Sequence, residues 1–371
     1  MELIGQESLS CGAPRTGSSL KSVKVCYGAS KYPSHARVSR AYRDLIRSHC
    51  EVVKEIDRAD IVILHFEPHC FDALFKTYPA LKKKYVIGYC VWEASELPAT
   101  YQKGISRAQE IWTCSRYCSE IFGRHHPQVR FIPHVVERST NCSDAERQCI
   151  RRVISYDPGN IYFLMITKLW DLRKNTSALV EAFRSQRAAM PKARLILKVG
   201  SQDIADGLSQ DGVIILREHL NEEQINALYE LSNAYVSPHH SEGWGLTLSD
   251  AMILQKPTIA TGYSGNCEFM NAGNSLLLDF TIGHIQPEDC FSYFDPTMQW
   301  AYPSPADLEQ KLLFVYHMRG SPQIRQMTRN AARDIKKFDQ NAVSATIRQH
   351  IIQIVDSERF SQTVARGKQA W

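Results

Sequence analysis

The chain has 371 residues, of which 44% are hydrophobic, and a formal net charge of +5 from 44 basic and 39 acidic side chains. This length supports a sizeable core divided between two domains, and two domains imply a cleft. The charge is too small to indicate nucleic-acid binding, and no run reaches the ~18 apolar residues that a membrane span needs. A weakly basic chain of this kind fits a protein that binds an anionic ligand.

The cysteines give information about the cellular compartment, and their spacing does not indicate a metal site. There are eleven of them, scattered along the chain, and Cys114 and Cys118 have no second pair at zinc-ligand spacing. The N-terminus lacks a basic region followed by an apolar one, so no signal peptide is expected. This pattern favours reduced thiols in a cytoplasmic enzyme.

In the first half of the chain, short apolar runs alternate with helical patterns. The run 23–27 ends in a turn that contains Gly28 and Ser30, and the segment 37–47 then has helical periodicity. Further strands are predicted at 61–66, 85–91, 111–114 and 130–132, and helices at 98–109 and 115–122. Because the longest runs are almost wholly apolar, we expect a parallel sheet covered on both faces.

A polar stretch at 137–160 contains the predicted domain boundary, and a second alternating series begins after it. Its predicted strands are 161–167, 194–199, 213–216 and 234–236, its helices are 175–185 and 221–231, and three more helices follow at 308–318, 321–338 and 341–357. Two doubly wound, Rossmann-like α/β domains, with a ligand cleft at the carboxyl ends of the strands, are therefore expected. The predicted organisation is a flexible leader at 1–19, an N-terminal Rossmann-like domain at 20–150, a C-terminal Rossmann-like domain at 151–338, and a helix at 339–371 that crosses back to the first domain.

The stretch 237–279 combines a strand end, a glycine turn, a helix and a second strand. Gly243 and Gly245 permit close backbone approach, and the helix that begins near Leu246 offers free N–H groups and a positive dipole end to a phosphate. Glu242 precedes the turn, and Asp250 lies about two helical turns beyond it, so both carboxylates could accept hydrogen bonds from ligand hydroxyls. The alternative is that these acids are a helix cap and a solvated helix residue.

Two lysines form a second predicted cluster. Lys168 follows the strand 161–167, and Lys174 precedes the next helix, so both face the cleft and could hold a diphosphate. Arg173 lies beside them, and any one of the three side chains taken alone is expected to be in solvent.

Together these residues resemble a known family. Glu242 to Asp250 with Ala251 and Met252, the run 256–261, and Lys168 with Lys174 are similar to the retaining glycosyltransferases of family four, which have the GT-B fold. Weaker similarities at 91–93 with Pro98, at 115–116 and at 132–134 extend the resemblance over nearly the whole chain.

The resemblance implies that the domain at 20–150 binds the acceptor and that the domain at 151–338 binds the nucleotide sugar. It also implies roles for individual residues. Glu242 would contact the donor sugar, and Asp250, where the family has glutamate, would bind the nucleotide ribose. The turn formed by Gly243, Gly245, Leu246 and Thr247 would contact phosphate through its backbone. Lys168 and Lys174 would hold the diphosphate where the family usually has arginine and lysine, which keeps the charge but loses the bidentate fork.

The implied reaction is the transfer of a hexose from a UDP- or GDP-linked sugar to a hydroxyl acceptor with retention of configuration, in glycan, polysaccharide or glycoconjugate biosynthesis. The chain contains no Asp-x-Asp, so we expect neither a divalent metal nor another cofactor. Glu93, in a Trp-Glu pair, is expected to act in catalysis. Gly28 is expected to bind the donor or acceptor, and His69 and Ser30 are weaker acceptor-side candidates.

One helix face suggests a membrane partner for this cytoplasmic enzyme. Arg37, Arg40, Arg43 and Arg47 fall near one face of the first helix, and they could dock on anionic lipid at the inner face of a membrane. A solvated face is the common alternative.

Two other function classes also use doubly wound domains. A nicotinamide-dependent dehydrogenase would need Gly-x-Gly-x-x-Gly after its first strand, and this pattern is absent, since Leu248 stands where the third glycine would follow Gly243 and Gly245. A catalytically silent GT-B protein that binds glycans or acts as a scaffold stays open, because Asp250 departs from the family pattern.

Overall fold

The structure is a computed structural model, and it describes residues 20–138, 141–204 and 207–368. The predicted leader at 1–19 lies outside these residues. None of the helices in the described part of the chain is long and apolar enough to cross a membrane.

Within these ranges, the N-terminal domain is built on a six-stranded parallel sheet with the order β2-β1-β3-β4-β5-β6. Its strands are β1 (Lys24–Ala29), β2 (Glu51–Val53), β3 (Ile61–His65), β4 (Tyr85–Tyr89), β5 (Glu110–Thr113) and β6 (Val129–Phe131). The helices of this half are α1 (Pro33–His49), α2 (Phe71–Thr77), α3 (Ala99–Ile105), α4 (Arg116–Gly123) and α5 (Asp144–Val153). Every residue of β3 and β4 is buried, as expected for strands covered on both faces.

The C-terminal domain contains a second six-stranded parallel sheet among the described residues, in the order β12-β11-β10-β7-β8-β9. Its strands are β7 (Ile161–Ile166), β8 (Ala193–Lys198), β9 (Val213–Leu216), β10 (Ala234–Ser237), β11 (Thr258–Thr261) and β12 (Leu276–Leu278), and its helices are α6 (Thr176–Ser185), α7 (Glu222–Leu231) and α8 (Leu246–Ile253). The sheet grows from β7 toward β9 in one direction and from β10 toward β12 in the other, so the strand order reverses between β7 and β10. In doubly wound sheets, ligands bind in the crevice at such a switch point.

A β-hairpin follows this sheet and reaches the other domain. It pairs β13 (Phe280–His284) with β14 (Gln299–Pro303) in antiparallel register. Near the loop end of the hairpin, the buried Trp300 ring stacks on His240, with 4.7 Å between the ring centroids. Beyond β13, the Phe294 ring stacks on Trp92 of the N-terminal domain at 4.7 Å.

The last helices return the chain to the N-terminal domain. They are α9 (Pro305–Met318), α10 (Pro322–Asp334), α11 (Gln340–Val355) and α12 (Glu358–Lys368). Ser344 of α11 is hydrogen-bonded to His49 of α1, with 2.8 Å between Oγ and Nε2. In α12, the Phe360 ring lies 6.1 Å from that of Tyr85 at the start of β4.

The predicted fold class, two doubly wound α/β domains, is confirmed. The elements that went unpredicted include β2, α2, β12, the hairpin β13–β14, and α5, which lies in the polar stretch assigned to the boundary. The exact domain limits stay predictions.

The loops that follow β10 and β11 pack closely where Gly243 meets Gly265. A Cβ at Gly265 would lie 1.9 Å from the carbonyl oxygen of Gly243, so neither backbone can keep its position. We expect Gly265→Ala to lower the free energy of unfolding by about 3 kcal/mol or more, measured by urea denaturation. Gly123→Ala is the matched control, because a Cβ there meets nothing within 4 Å, and it should be neutral or slightly stabilising. Equal effects of the two substitutions would contradict this packing.

Candidate active site at the switch point of the second sheet

The carboxyl ends of β7 and β10 bring two charged loops together. The loop after β7 carries Arg173 and Lys174, and the loop after β10 carries Glu242. A backbone hydrogen bond from the His240 nitrogen to the Arg173 carbonyl, 2.8 Å long, ties the loops to each other. Two loops that are distant in sequence therefore meet at the edge where the fold places ligands.

The guanidinium of Arg173 is at the centre of this meeting point. It is buried, and it donates to the Ser241 carbonyl at 2.6 Å and to the Asp171 carboxylate at 2.9 Å. Its nitrogens also lie 3.4 Å from the Glu242 carboxylate and 3.8 Å from that of Glu93, which belongs to the N-terminal domain. One cation thus joins both loops and the opposite wall of the cleft.

Lys174 forms the second cationic contact of Glu242. Its Nζ lies 2.5 Å from Oε1 of the carboxylate, and about a fifth of its side chain is exposed. Burial by itself would raise the pKa of Glu242, but the positive charges of Lys174 and Arg173 outweigh burial and hold that pKa at about 2. Glu242 is therefore an ionised group at neutral pH, suited to accept hydrogen bonds and poorly suited to act as a general base.

The pKa of Glu93 is shifted in the opposite direction. Burial raises its pKa, the charge of Glu242 adds to the increase, and Arg173 opposes it. The two carboxylates share one guanidinium, and their environments push their pKa values apart. Such separation of acid groups is common where a site handles protons or developing charge.

The glycine turn has the backbone shape that an anion site needs. Gly245, the N-cap of α8, has φ +90°, a backbone conformation that residues other than glycine rarely adopt. The N–H groups of Leu246 and Thr247 lie in the first turn of α8, where a helix has no internal carbonyl partners for them. At Gly243 a Cβ would lie 2.1 Å from Cγ1 of Val91, so the glycine lets this loop contact the N-terminal domain.

The positions of Lys168 and Arg173 differ from those predicted from the sequence. The expectation that each basic side chain taken alone lies in solvent is wrong for Arg173, which is buried because three carboxylates surround it. Lys168 is half-buried outside this cluster, with Nζ 4.0 Å from the ring centroid of Tyr32 and 5.3 Å from that of Trp170. The side chain beside Lys174 in the cluster is therefore Arg173.

Both carboxylate oxygens of Asp250 accept hydrogen bonds from arginines. Both of its carboxylate oxygens accept from Arg37 of α1, at 2.7 and 2.8 Å, and Arg138 donates to one of them at 2.7 Å. Arg37 is thus part of a contact between the domains and does not belong to an exposed basic face, which corrects that part of the predicted arginine face. Arg47 forms an ion pair with Asp44 of the same helix, at 2.5 Å.

The carboxyl ends of β1 and β3 meet at the edge of the first sheet, where the weaker predicted site residues lie. Gly28 lies inside β1, so the strand continues past the predicted turn. The Ser30 nitrogen donates to the His65 carbonyl at 3.1 Å, and its hydroxyl lies 2.7 Å from Nδ1 of His35. His69 lies apart from Ser30, in an aromatic group with Tyr101 and Tyr293.

Similarity to known proteins agrees with this arrangement. Residues 147–281 match the family model described as "Glycosyl transferases group 1", and this range contains both charged loops. This part of the C-terminal domain is therefore similar to group 1 glycosyl transferases. The described residues have the GT-B fold of glycosyltransferases, as the resemblance implied, and the assignment to family four stays a prediction.

Two solved structures resemble nearly the entire GT-B chain. A glycosyltransferase of Rickettsia africae is 12% identical, with a TM-score of 0.67, over 91% of this chain and 100% of that one. HepE of Anabaena, solved with UDP and glucose, is 14% identical, with a TM-score of 0.64, over 89% and 100% of the two chains.

Sequence similarity is more local. The sucrose-phosphate synthase of Zea mays is 28% identical over an alignment of 132 positions, and the match covers 29% of this chain and 12% of the maize enzyme. The match therefore covers only a small part of that protein.

The charge of Glu242 should contribute measurably to stability. A carboxylate whose pKa is lower in the folded state stabilises the fold above its unfolded pKa and loses this contribution as the pH falls through the folded value. We expect Glu242→Gln to lower the free energy of unfolding at pH 7 by about 3 kcal/mol, with a deficit that shrinks as the pH falls from about 4.5 toward about 2. Urea denaturation at several pH values measures this.

Glu230→Gln is the matched control, because the half-exposed Glu230 makes only a surface ion pair with Arg147. It should cost less than about 1 kcal/mol. A pH-independent deficit for Glu242→Gln would contradict the assigned charge.

Proposed function

We propose that the protein is a retaining, hexosyltransferase-type glycosyltransferase that moves a sugar from a UDP- or GDP-linked donor to a hydroxyl acceptor. The observation that carries this proposal is the assembly of Arg173, Lys174 and Glu242 at the switch point of a group 1 glycosyl transferase domain. HepE, which has the same fold, was solved with UDP and glucose.

The donor diphosphate would lie between Lys174 and the first turn of α8. Lys174 is partly exposed and can turn from Glu242 toward a phosphate, and the N–H groups of Leu246 and Thr247 would add hydrogen bonds. Lys168, at the mouth of the same loop, would reach the outer phosphate oxygens. Arg173 is already paired and would hold the carboxylates in place.

This charge distribution suits departure of a nucleoside diphosphate from an anomeric carbon. Negative charge then grows on the leaving phosphate and positive charge on the sugar ring, so cations and N–H groups fixed in advance stabilise the transition state by several kcal/mol. Glu242 would accept hydrogen bonds from the sugar hydroxyls, and Glu93 would face the reacting ring from the other wall. The leaving phosphate would take the acceptor proton on the same face, which gives retention.

Asp250 would keep a ribose contact in addition to its arginines. Each carboxylate oxygen has two lone pairs, so three bonds from Arg37 and Arg138 leave room for a ribose hydroxyl. In this arrangement the nucleotide would bind beside a contact between the two domains.

The cationic cluster also supports catalysis without a divalent metal or other cofactor, because it can neutralise the leaving group itself. We place the enzyme in the cytoplasm, in glycan, polysaccharide or glycoconjugate biosynthesis, with a glycan, lipid-linked or other hydroxyl acceptor. Membrane contact through Arg40, Arg43 and Arg47 is part of this proposal, without Arg37.

A catalytically silent glycan-binding or scaffolding protein is the alternative. Such a protein would have no need to keep the paired Arg173, Lys174 and Glu242, whose burial is costly unless every charge is matched. Slow hydrolysis of the donor in the absence of acceptor distinguishes the two functions.

A thermal-shift panel of UDP, GDP and ADP tests the donor site. We expect UDP or GDP to raise the melting temperature, because a ligand at a hundredfold its dissociation constant stabilises the fold by about 2.7 kcal/mol. The matching nucleosides, which lack phosphates, should have a much smaller effect. If no nucleoside diphosphate shifts the transition, the donor site is wrongly assigned.

Proton NMR of donor turnover tests the reaction itself. We expect a sugar product with the anomeric configuration of the donor, formed at the same rate in EDTA. Loss of activity in EDTA with recovery in Mn²⁺ would overturn metal independence, and an inverted product would overturn retention.

A further inference from the structure

The N-terminal domain has a switch point of its own, between β1 and β3. Glu67 lies two residues beyond β3, at the carboxyl edge of the first sheet, and close enough to Glu93 for the two charges to interact. Its carboxylate accepts from the Tyr101 hydroxyl, and the rings of His69 and Tyr293 pack against that of Tyr101. We call these four residues the acceptor-side cluster.

The hairpin supplies one member of the cluster from the other domain. The Tyr293 ring centroid lies 5.0 Å from that of His69 and 5.4 Å from that of Tyr101. Two hydrogen bonds hold the hairpin against the N-terminal domain here. The Ser95 nitrogen donates to the Gln299 carbonyl at 3.0 Å, and the Gln299 nitrogen donates to the Ser95 hydroxyl at 2.8 Å. The cluster therefore exists only where the two domains meet.

Glu67 is the polar group of the cluster. One of its oxygens accepts from the Tyr101 hydroxyl, the other lies 3.6 Å from Nε2 of His35, and 42% of its side chain is exposed. Burial raises its pKa to about 7, with a further increase from the charge of Glu93. The carboxyl group can thus bond a ligand hydroxyl both as an acceptor and, when protonated, as a donor.

His69 has an unused hydrogen-bonding atom. Its Nδ1 is buried and has no hydrogen-bond partner among the described residues, and Nε2 lies 3.3 Å from Sγ of Cys70. A buried polar atom without a partner is costly unless a ligand or water satisfies it. Tyr293, in contrast, has 37% of its surface exposed, so a ligand can reach the aromatic face.

This combination fits a sugar ring. A pyranose has C–H groups on its faces, which pack on aromatic rings, and hydroxyls at its edge, which bond to carboxylates and imidazoles. An acyl or polyprenyl chain would pack on the rings, but it would exclude water from the exposed part of the Glu67 carboxylate and give Nδ1 of His69 no partner. The polar atoms therefore favour a carbohydrate over a lipid chain.

We propose that Glu67, His69, Tyr101 and Tyr293 bind a sugar ring of the acceptor, so that the enzyme extends a glycan or glycoside. The inference rests on the proposed function, and it adds the substrate class of the acceptor and a binding role for the hairpin. Tyr293 would pack on the ring, while Glu67 and His69 would fix its hydroxyls near the donor sugar.

Saturation-transfer NMR with UDP present tests the proposal. The probes are millimolar methyl glycosides of glucose, galactose, mannose and N-acetylglucosamine, with geranyl phosphate as the lipid probe. We expect at least one methyl glycoside to bind, and Tyr293→Ala and Glu67→Gln to weaken it about tenfold or more. Tyr293→Phe should retain binding, because the ring remains.

Tyr78→Ala is the matched control, since Tyr78 is similarly exposed, at 48%, and lies outside the cluster. It should leave glycoside binding unchanged. Binding of UDP without any methyl glycoside, binding of geranyl phosphate alone, or equal glycoside binding by Tyr293→Ala would overturn the inference and leave the proposed function intact. Failure of UDP itself to bind would remove the proposed function, and this inference with it.

Discussion

The buried guanidinium of Arg173 is the interaction on which the rest of the site depends. A charge in this position is tolerated only because Asp171, Glu242 and Glu93 surround it, and the first two belong to the loops that the switch point brings together. Burial would lower the pKa of Arg173, but the three carboxylates raise it instead. The ordered cation in turn fixes Glu242 in its ionised form beside Lys174, which remains accessible to a ligand.

The two domains are connected by more than this charge cluster. Asp250 joins α8 to Arg37 of α1, and the hairpin β13–β14 packs Phe294 on Trp92 of the N-terminal domain. The three contacts lie around one cleft, so the residues that we propose to bind the donor also hold the facing wall of the N-terminal domain. This coupling gives a physical reason for an aspartate at position 250, since a short carboxylate that accepts from two arginines can serve the domain contact as well as the proposed nucleotide contact.

Much of the fold was predictable from periodicity, because buried parallel strands such as β3 and β4 are continuous apolar runs between turns. The site was predictable where chain neighbours determine it, as at Glu242 and the glycine turn of Gly245. Partners distant in sequence were not predictable: the burial of Arg173 and the pairing of Arg37 with Asp250 depend on how two domains meet. The hairpin was missed because its strands are partly exposed and its aromatic residues follow no regular alternation.

The most direct test of the diphosphate site is the affinity of UDP relative to UMP, measured by calorimetry for the parent protein and for Lys174→Met. If Lys174 holds the outer phosphate, the preference of the parent for UDP should fall by about 10- to 100-fold in Lys174→Met while UMP affinity changes little. Lys337→Met, at an exposed lysine bonded to the Glu268 carbonyl, should behave like the parent. An unchanged preference for UDP in Lys174→Met would contradict the proposed donor site.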